Sequence, residues 1–571
     1  MKLKLNYIKS FFANQRWLAL WTIIGLTVPS VWLSLTEAWT LPGKFAGVLT
    51  MAGVYTLLMS LSRRPGRMVW YMFPLLFFAA FQMVLMYLYG DGVIAVDMYL
   101  NVLTTSVSEV SELLLNLIPA LLSVVVLYLV PLIWGATEWR RPHELSERFL
   151  RGLRRAGWWL TGAGAACMAV CMAFVPRYNA VNETFPLNAI YNLWFAVERT
   201  GRMEHYHESS AGFSYHARST ADPAERELYI IVVGETGRAA DWQLSGYRRP
   251  TNPLLSHREG LTYFDQTFSE SNTTHKSVPM TLSYAESGSL DSIPRIRSVI
   301  TAFREVGYAT AFLSAQTPNR SYTQFFGEEA DTTIYIGSAS RGTAAHDGSL
   351  LPNIENIIAR GATKQLIVVH TYGSHYKYNE RYPRKFARFT PDQNLSAKAD
   401  NRRDLVNAYD NTILYTDYIL SRIIDMADGA DCRSAVLYST DHGEDIFDDS
   451  RGRFLHASPT PTAYQLHIPM LVWLSPRLRA ESPDKAAQLD RHAHSFATPQ
   501  KSIFMTLVDV AQITTPYYNS RWALTSGDYR EPRPTYVNDH NRQLPWSEVA
   551  FKPQDKVYFR MVLHDKSLSP E

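Results

Sequence analysis

Only three cysteines occur in 571 residues, and they are poorly placed for cross-linking. Cys167 and Cys171 fall inside one apolar run, and Cys432 stands alone in the polar part, so no internal disulfide can staple that part. Net charge is scarce too: 56 Lys+Arg against 53 Asp+Glu gives +3. That balance carries no general attraction for nucleic acid, and none is expected as a partner. Internal repeats and low-complexity tracts are missing. No small-residue cleavage site follows the first apolar run, which is also too long for a signal peptide and is expected to stay as an anchor. Beyond residue 177 long apolar runs are lacking as well, although hydrophobic residues make up 46% of the whole. The apolar material is concentrated at the start, and a chain this long needs more than one folding unit.

Five early segments are long enough to cross a bilayer, which takes about 20 apolar residues each. They run from Trp17 to Leu35, Leu41 to Leu61, Met68 to Tyr89, Leu113 to Gly135 and Gly157 to Val175. Lys2, Lys4, Lys9 and Arg16 precede the first; Arg63, Arg64 and Arg67 separate the second from the third. Six arginines between Arg140 and Arg155 lie before or at the start of the fifth. The intervening loops carry Glu37, Asp91, Asp97, Glu109 and Glu112 instead. By the positive-inside rule the amino terminus is cytoplasmic and everything after Val175 is external. In the loop before the fourth span, Asn101, Thr105 and Glu109 recur every four residues and would share a helix face. That face reads either as ordinary solvated surface or as a polar grip on a lipid headgroup.

The expected division is a membrane domain over residues 1–176, an interfacial helix and linker over 177–226, and an external domain over 227–571. Ile190 to Val197 is amphipathic and suits a membrane surface. From Leu228 onward, short apolar strands alternate with helical stretches. Strands are predicted at Leu228–Val233, Ala309–Leu313, Gln365–Val369, Ala435–Tyr438 and Met470–Leu474, and helices at Ile293–Val306 and Arg402–Met426. Such alternation predicts an α/β domain with a mostly parallel sheet. The polar, Pro-rich tail after about Arg530 is expected to wrap the surface.

Chemistry gathers where these strands end, the usual place for a working site in such sheets. Asp441-His442-Gly443-Glu444 follows the Ala435–Tyr438 strand. Glu235 follows the first strand, a carboxylate in the same kind of place, although acidic residues there often only cap a helix. His370-Thr371-Tyr372-Gly373-Ser374-His375 closes a third strand. Thr274 sits in a run of hydroxyls before a predicted helix, whose positive end suits phosphate. His456 lies on a later loop. Oxygen and nitrogen ligands without cysteine suit zinc, which would activate the Thr274 hydroxyl and polarise a phosphoryl oxygen. The pattern describes covalent phosphoryl transfer.

The ordered set Val-Gly-Glu-Thr, Asn-Thr-Thr-x-x-Ser-Val-Pro, His-Thr-x-Gly-Ser-His, Asp-His-Gly-Glu and Leu-His resembles the phosphoethanolamine transferases of Gram-negative bacteria, members of the alkaline-phosphatase/sulfatase-like superfamily. Gly246-Tyr247-Arg248-Arg249-Pro250-Thr251-Asn252-Pro253, Tyr409-Asp410-Asn411-Thr412 and the five spans extend the likeness over nearly the whole chain. The resemblance implies a multi-pass inner-membrane enzyme with a periplasmic catalytic domain. It makes Thr274 the nucleophile and Glu235, Asp441 and His442 its companions on one tightly bound zinc, with a second zinc allowed for. His375 and His456 would bind substrate phosphate or that second ion. Asn101, Thr105 and Glu109 would grip the donor headgroup, and Arg320 is the nearest match to a phosphate-contacting basic residue. The implied donor is phosphatidylethanolamine, and the implied acceptor is lipopolysaccharide or its lipid A; a monomer is expected. One departure stands out. Members that modify lipid A bracket the nucleophile with a disulfide, whereas Glu270 and Met280 hold those positions here, as in the branch that acts on core sugars.

Three rivals are weighed against this reading. A sulfatase or phosphodiesterase would not need five spans, and the Cys/Ser-x-Pro-x-Arg signature of sulfatases is missing around Thr274. A lipoteichoic-acid-type glycerophosphate transferase is nearer, but the Asn101/Thr105/Glu109 face and the His-Thr-x-Gly-Ser-His run favour ethanolamine. A silent membrane scaffold would have no need of the complete ligand set, and fold alone could not separate it from an enzyme.

Overall fold

Strands buried on both faces need continuous apolar runs, and Leu228-Tyr-Ile-Ile-Val-Val and Ala435-Val-Leu-Tyr supply them. In the computed structural model of the chain, which describes residues 14–37, 39–89, 92–104, 118–139, 143–175, 178–337 and 346–570, these runs are the centre of a seven-stranded sheet. Two compact units are present, Met1–Glu198 and Arg199–Glu571.

Among the described residues of the first unit, four helices are long and apolar enough to cross a membrane: α1 (Gln15–Thr36), α2 (Leu41–Met59), α6 (Ala120–Glu138) and α7 (Glu147–Phe174). The predicted third span is a bent pair, α3 (Pro65–Tyr71) and α4 (Phe73–Tyr89), with 64° between them. The break at Met72–Phe73 precedes Pro74, and a residue before proline is pushed out of helical conformation. α5 is Val96–Thr104. α7 begins ten residues before the predicted Gly157: Ser146 accepts from the Phe149 amide, and the arginine-rich turns that follow are good helix formers. α2 and α7 pack closely through small residues. A Cβ on Gly53 would meet Thr161 Oγ1 at 2.3 Å, and one on Gly164 would meet Thr50 Oγ1 at the same distance. α8 (Leu187–Glu204) contains the amphipathic stretch and exposes Trp194 and Val197.

The second unit is built on strands β1 (Glu227–Gly234), β2 (Leu261–Phe264), β3 (Ala309–Ser314), β4 (Thr332–Tyr335), β5 (Lys364–His370), β6 (Arg433–Thr440) and β7 (Met470–Leu474), in the order β2-β7-β6-β1-β5-β3-β4. Five neighbours, β6 to β4, run parallel; β7 is antiparallel to both β6 and β2. The register sets Gly234 beside Thr440 and Val233 beside both Ser439 and His370. Three chain segments therefore leave the sheet side by side at one edge. Helices α9 (Thr274–Thr281), α10 (Arg402–Gly429) and α11 (Pro499–Val510) pack around it.

β2 and β4 were not predicted: Leu-Thr-Tyr-Phe and Thr-Thr-Ile-Tyr are short, threonine-bearing edge strands with little apolar signal. The predicted Ile293–Val306 helix is divided, because Pro294 breaks the periodicity; a 3₁₀ segment over Ser287–Arg295 is followed by a helix at Val299–Glu305. The tail is more than a surface wrap. Tyr536, Trp546, Phe551, Phe559 of α12 (Pro553–Val562) and Leu563 form a core with Phe268, Phe496 and Leu466. Trp546 is 3% exposed at the middle of this cluster. Replacing it with Ala is expected to cost about 3–5 kcal/mol, read as a lower guanidinium midpoint for the second unit. An unchanged midpoint would mean that the tail adds nothing to that core.

Candidate metal and transfer site

Glu235 sits one residue past β1, Asp441 and His442 one and two past β6, and Thr274 opens α9. Thr274 Oγ1 lies 3.3 Å from Glu235 Oε1 and 3.2 Å from His442 Nε2. His442 Nε2 is 3.2 Å from Asp441 Oδ2 and 3.8 Å from Glu235 Oε1. Zinc bonds of about 2.0–2.2 Å in a tetrahedron put neighbouring ligand atoms roughly 3.3–3.6 Å apart. The four separations, 3.2 to 3.8 Å, lie around that spacing.

Protonation points the same way. His442 Nδ1 is 3.0 Å from the Gly443 carbonyl, which fixes the proton there and leaves Nε2 as a bare lone pair. Burial, then the neighbouring His456, pushes the imidazole pKa well down, so its contacts with the two carboxylates are not ion pairs. Burial, then the charge of Asp441, pushes Glu235 well up; burial raises Asp441 to about 6. Asp441 Oδ2 is buried without a hydrogen-bond partner. A lone pair and two carboxylates converging in a dry site repel one another unless a cation joins them. The chemistry of the donors thus fits zinc, and Glu235, Asp441 and His442 form a buried triad whose ligand atoms lie within 4.8 Å of one another.

The turns around the triad are tightly specified. Thr236 adopts φ +58, unusual for a β-branched residue and costing roughly 1–3 kcal/mol. In that conformation its amide donates to Asp441 Oδ1 at 2.9 Å and its hydroxyl to Glu235 Oε1 at 2.8 Å. The Tyr409 hydroxyl locks the turn, donating to Thr236 O and accepting from Arg238 N. Gly373, at φ +55, passes so close that a Cβ would lie 2.5 Å from Glu235 O. Behind Glu444, buried Arg238 pairs with Asp241 and Asp448 and donates to the Glu444 carbonyl at 3.2 Å. The Glu444 carboxylate lies 3.6 Å from His456 Nδ1.

The His456 ring sits 4.2 Å from that of His442, and the His375 ring 6.1 Å from that of His456, centroid to centroid. Burial, with Arg381 and His456 nearby, drives His375 down to about 3. Glu235, Thr274, Asp441, His442, His456 and His375 thus form one connected group. Arg320 is not joined to it: its side chain is exposed, its amide bonds Gln324 Oε1, and among the described residues no hydrogen bond or ion pair links it to these groups. Asn101 lies in α5, where only the backbone is described, and Thr105 and Glu109 lie outside the described residues.

Sequence reasoning missed several supporting residues. Gln316 Nε2 donates to Glu235 Oε2 and to Thr371 O, both at 3.1 Å; a lone glutamine after β3 gives no sequence signal. Asn272, two residues before Thr274, is held by Ser458 O, Gln465 and the Tyr536 hydroxyl of the tail. The Gly246–Pro253 and Tyr409–Thr412 motifs brace each other: Arg249 Nη1 is 2.7 Å from Asp410, while Thr412 shares a hydroxyl bond with Ser374. Glu270, at a position that carries cysteine in disulfide-bonded relatives of the resembled family, pairs instead with buried Lys501 and accepts from Ser287.

Residues 227–513 match the sulfatase family. Over 445 residues the chain is 26% identical to a Kdo(2)-lipid A phosphoethanolamine 7''-transferase of Salmonella typhimurium, covering 72% of this chain and 73% of that protein. It is 30% identical over 314 residues to phosphoethanolamine transferase EptA of the same organism, covering 52% and 55%. The integral membrane lipooligosaccharide phosphoethanolamine transferase A of Neisseria meningitidis superposes with a TM-score of 0.70 at 20% identity, over 92% of this chain and 99% of that one. The zinc complex of the periplasmic domain of Escherichia coli EptC gives 0.54 at 22%, over 60% and 98%. At those identities the two structures speak for the fold. The chain belongs to the sulfatase family. Within it, the relatives matched over half or more of this chain are phosphoethanolamine transferases by name.

Replacing Gln316 with Ala removes a donor that orients Glu235. Zinc affinity is expected to fall about 10–100-fold in chelator competition, and an unchanged affinity would exclude an orienting role.

Proposed function

We propose that this chain transfers phosphoethanolamine from phosphatidylethanolamine to lipopolysaccharide, on its core sugars or its lipid A, through a covalent intermediate on Thr274. One observation carries the reading: a hydroxyl at a helix amino terminus converges with two carboxylates and an imidazole lone pair at separations of 3.2 to 3.8 Å. Zinc held by Glu235, Asp441, His442 and Thr274 would supply a Lewis acid that lowers the hydroxyl pKa and steadies charge on the phosphoryl oxygen. The Thr274 oxygen attacks the donor phosphorus, the P–O bond to diacylglycerol breaks, and the leaving oxygen takes up a proton. An acceptor oxygen then attacks the same phosphorus and displaces Thr274.

The remaining residues fall into roles around that exchange. Thr274 stands at the amino end of α9, where the positive end of the helix dipole favours the negative charge of a phosphoryl group. His375, nearly always neutral at physiological pH, offers a hydrogen-bonding nitrogen to substrate phosphate, and His456 beside Glu444 is suited to proton transfer. Asn101, Thr105 and Glu109 are assigned the donor headgroup from the family resemblance, with which their spacing of four on one helix face agrees. Arg320 would have to swing inward to reach phosphate, so it is the weakest member of the set. The proposed setting is the inner membrane, with the catalytic unit in the periplasm; the arginine asymmetry of the loops supports an external placement. The Salmonella relative's name states transfer to Kdo(2)-lipid A, and the lone buried Cys432 agrees with a disulfide-free, core-directed branch.

Thr274→Ala should lower transfer by about 10³-fold or more while leaving the protein folded in the membrane. Mass spectrometry of lipid A and core from cells carrying each form reads the outcome and identifies the acceptor. Modification persisting in the variant would remove Thr274 as nucleophile. Chelation of the purified enzyme should abolish transfer and added zinc restore it; full activity after verified metal removal would rule out the zinc assignment.

A further inference from the structure

Away from the transfer site, a second group of metal-type ligands comes together where the tail meets the sheet. Asp265 directly follows β2, His494 ends the short turn His492–His494, and His564 follows α12. His494 Nδ1 lies 2.8 Å and His564 Nε2 3.8 Å from Asp265 Oδ2. The two imidazole rings are 5.7 Å apart, and one ligand atom from each residue falls within 4.8 Å of the others.

The backbone under these side chains is fixed. The Gln266 side chain bridges two of them, its Nε2 donating to the His494 carbonyl and its Oε1 accepting from the His564 backbone N–H at 2.5 Å. The Asp265 amide donates to Ala493 O at 3.3 Å, and the Asp265 carbonyl is 3.1 Å from His467 Nε2. Leu563, next to His564, is fully buried in the aromatic core. The ligands are therefore presented by a scaffold that does not depend on their mutual contact.

A plain histidine–aspartate hydrogen bond accounts for only part of this. One proton can join His494 to Asp265 Oδ2, yet a second imidazole faces the same oxygen. The other carboxylate oxygen, Oδ1, is buried without a hydrogen-bond partner. Two imidazoles and a carboxylate oxygen within 4.8 Å of one another are within reach of a single cation that could take all three. Two imidazoles and a carboxylate suit zinc, with water completing the shell because both histidines are more than half exposed. We propose that Asp265, His494 and His564 bind a structural zinc that clips the C-terminal segment to the edge of the sheet.

The test uses the full-length protein in detergent, stripped with chelator and then titrated with zinc chloride, with bound metal counted by mass spectrometry. Compared with wild type, His494→Ala and His564→Ala should each lose one equivalent while the catalytic equivalent stays. Asp441→Asn should lose the catalytic equivalent and keep the clip. Zinc should also protect the segment after Pro553 from proteolysis in Asp441→Asn but not in the Asp441→Asn/His494→Ala double variant. An equal metal count in wild type and His494→Ala/His564→Ala, or zinc protection that survives loss of His494, would overturn the proposal.

Discussion

Holding two carboxylates and an imidazole lone pair together in a dry pocket is the constraint around which this domain is arranged. Without a cation, each added negative charge raises the cost of the next, and the site relaxes by protonating its carboxylates. With one, the same three groups and the Thr274 hydroxyl become mutually supportive. The sheet meets the constraint through register. Because β1 and β6 are parallel neighbours with Gly234 beside Thr440, the residues that follow them emerge together without any long loop to position them. A one-residue slip between these strands would carry Asp441 away from Glu235.

Register alone does not orient the ligands, and much of the surrounding polar network does that. Thr236 accepts backbone strain so that one residue can serve both carboxylates. Tyr409, on the long α10, ties that turn from behind, and Arg238 holds the Glu444 loop through two buried aspartates. Replacing such a charged network by apolar residues need not destabilise a fold, so its retention here is better understood as fixing position.

How much of this could be read in the sequence follows from where the physical signal lies. β1, β5, β6 and β7 are continuous apolar runs and were visible within a residue or two. β2 and β4 are half-buried edges whose threonines look like loop, so they were invisible without their partners. The carboxylates and histidines of the candidate site stood out in the sequence because several of them follow buried strands directly, and the structure brings them together. Gln316 and Tyr536 gave no such signal, since their importance comes from distant pairings. The membrane spans were legible from length and hydropathy, but the bend at Met72 and the early start of α7 are set by local backbone chemistry, at Pro74 and at the Ser146 cap. The tail misled for a plain reason: its prolines and charges hide a handful of aromatics whose burial decides its fate.

That tail has a consequence in time. The hydroxyl of Tyr536 fixes Asn272 across 264 positions of chain, and the Lys276 ammonium reaches the Asn538 carbonyl nearby. Contacts this distant in sequence form late, because the intervening chain must first be ordered. The loop carrying Thr274 therefore gains these supports only after residues 536–538 have been made. A growing polypeptide would hold that loop without these two supports until the stretch from Tyr536 to Asn538 has joined the fold.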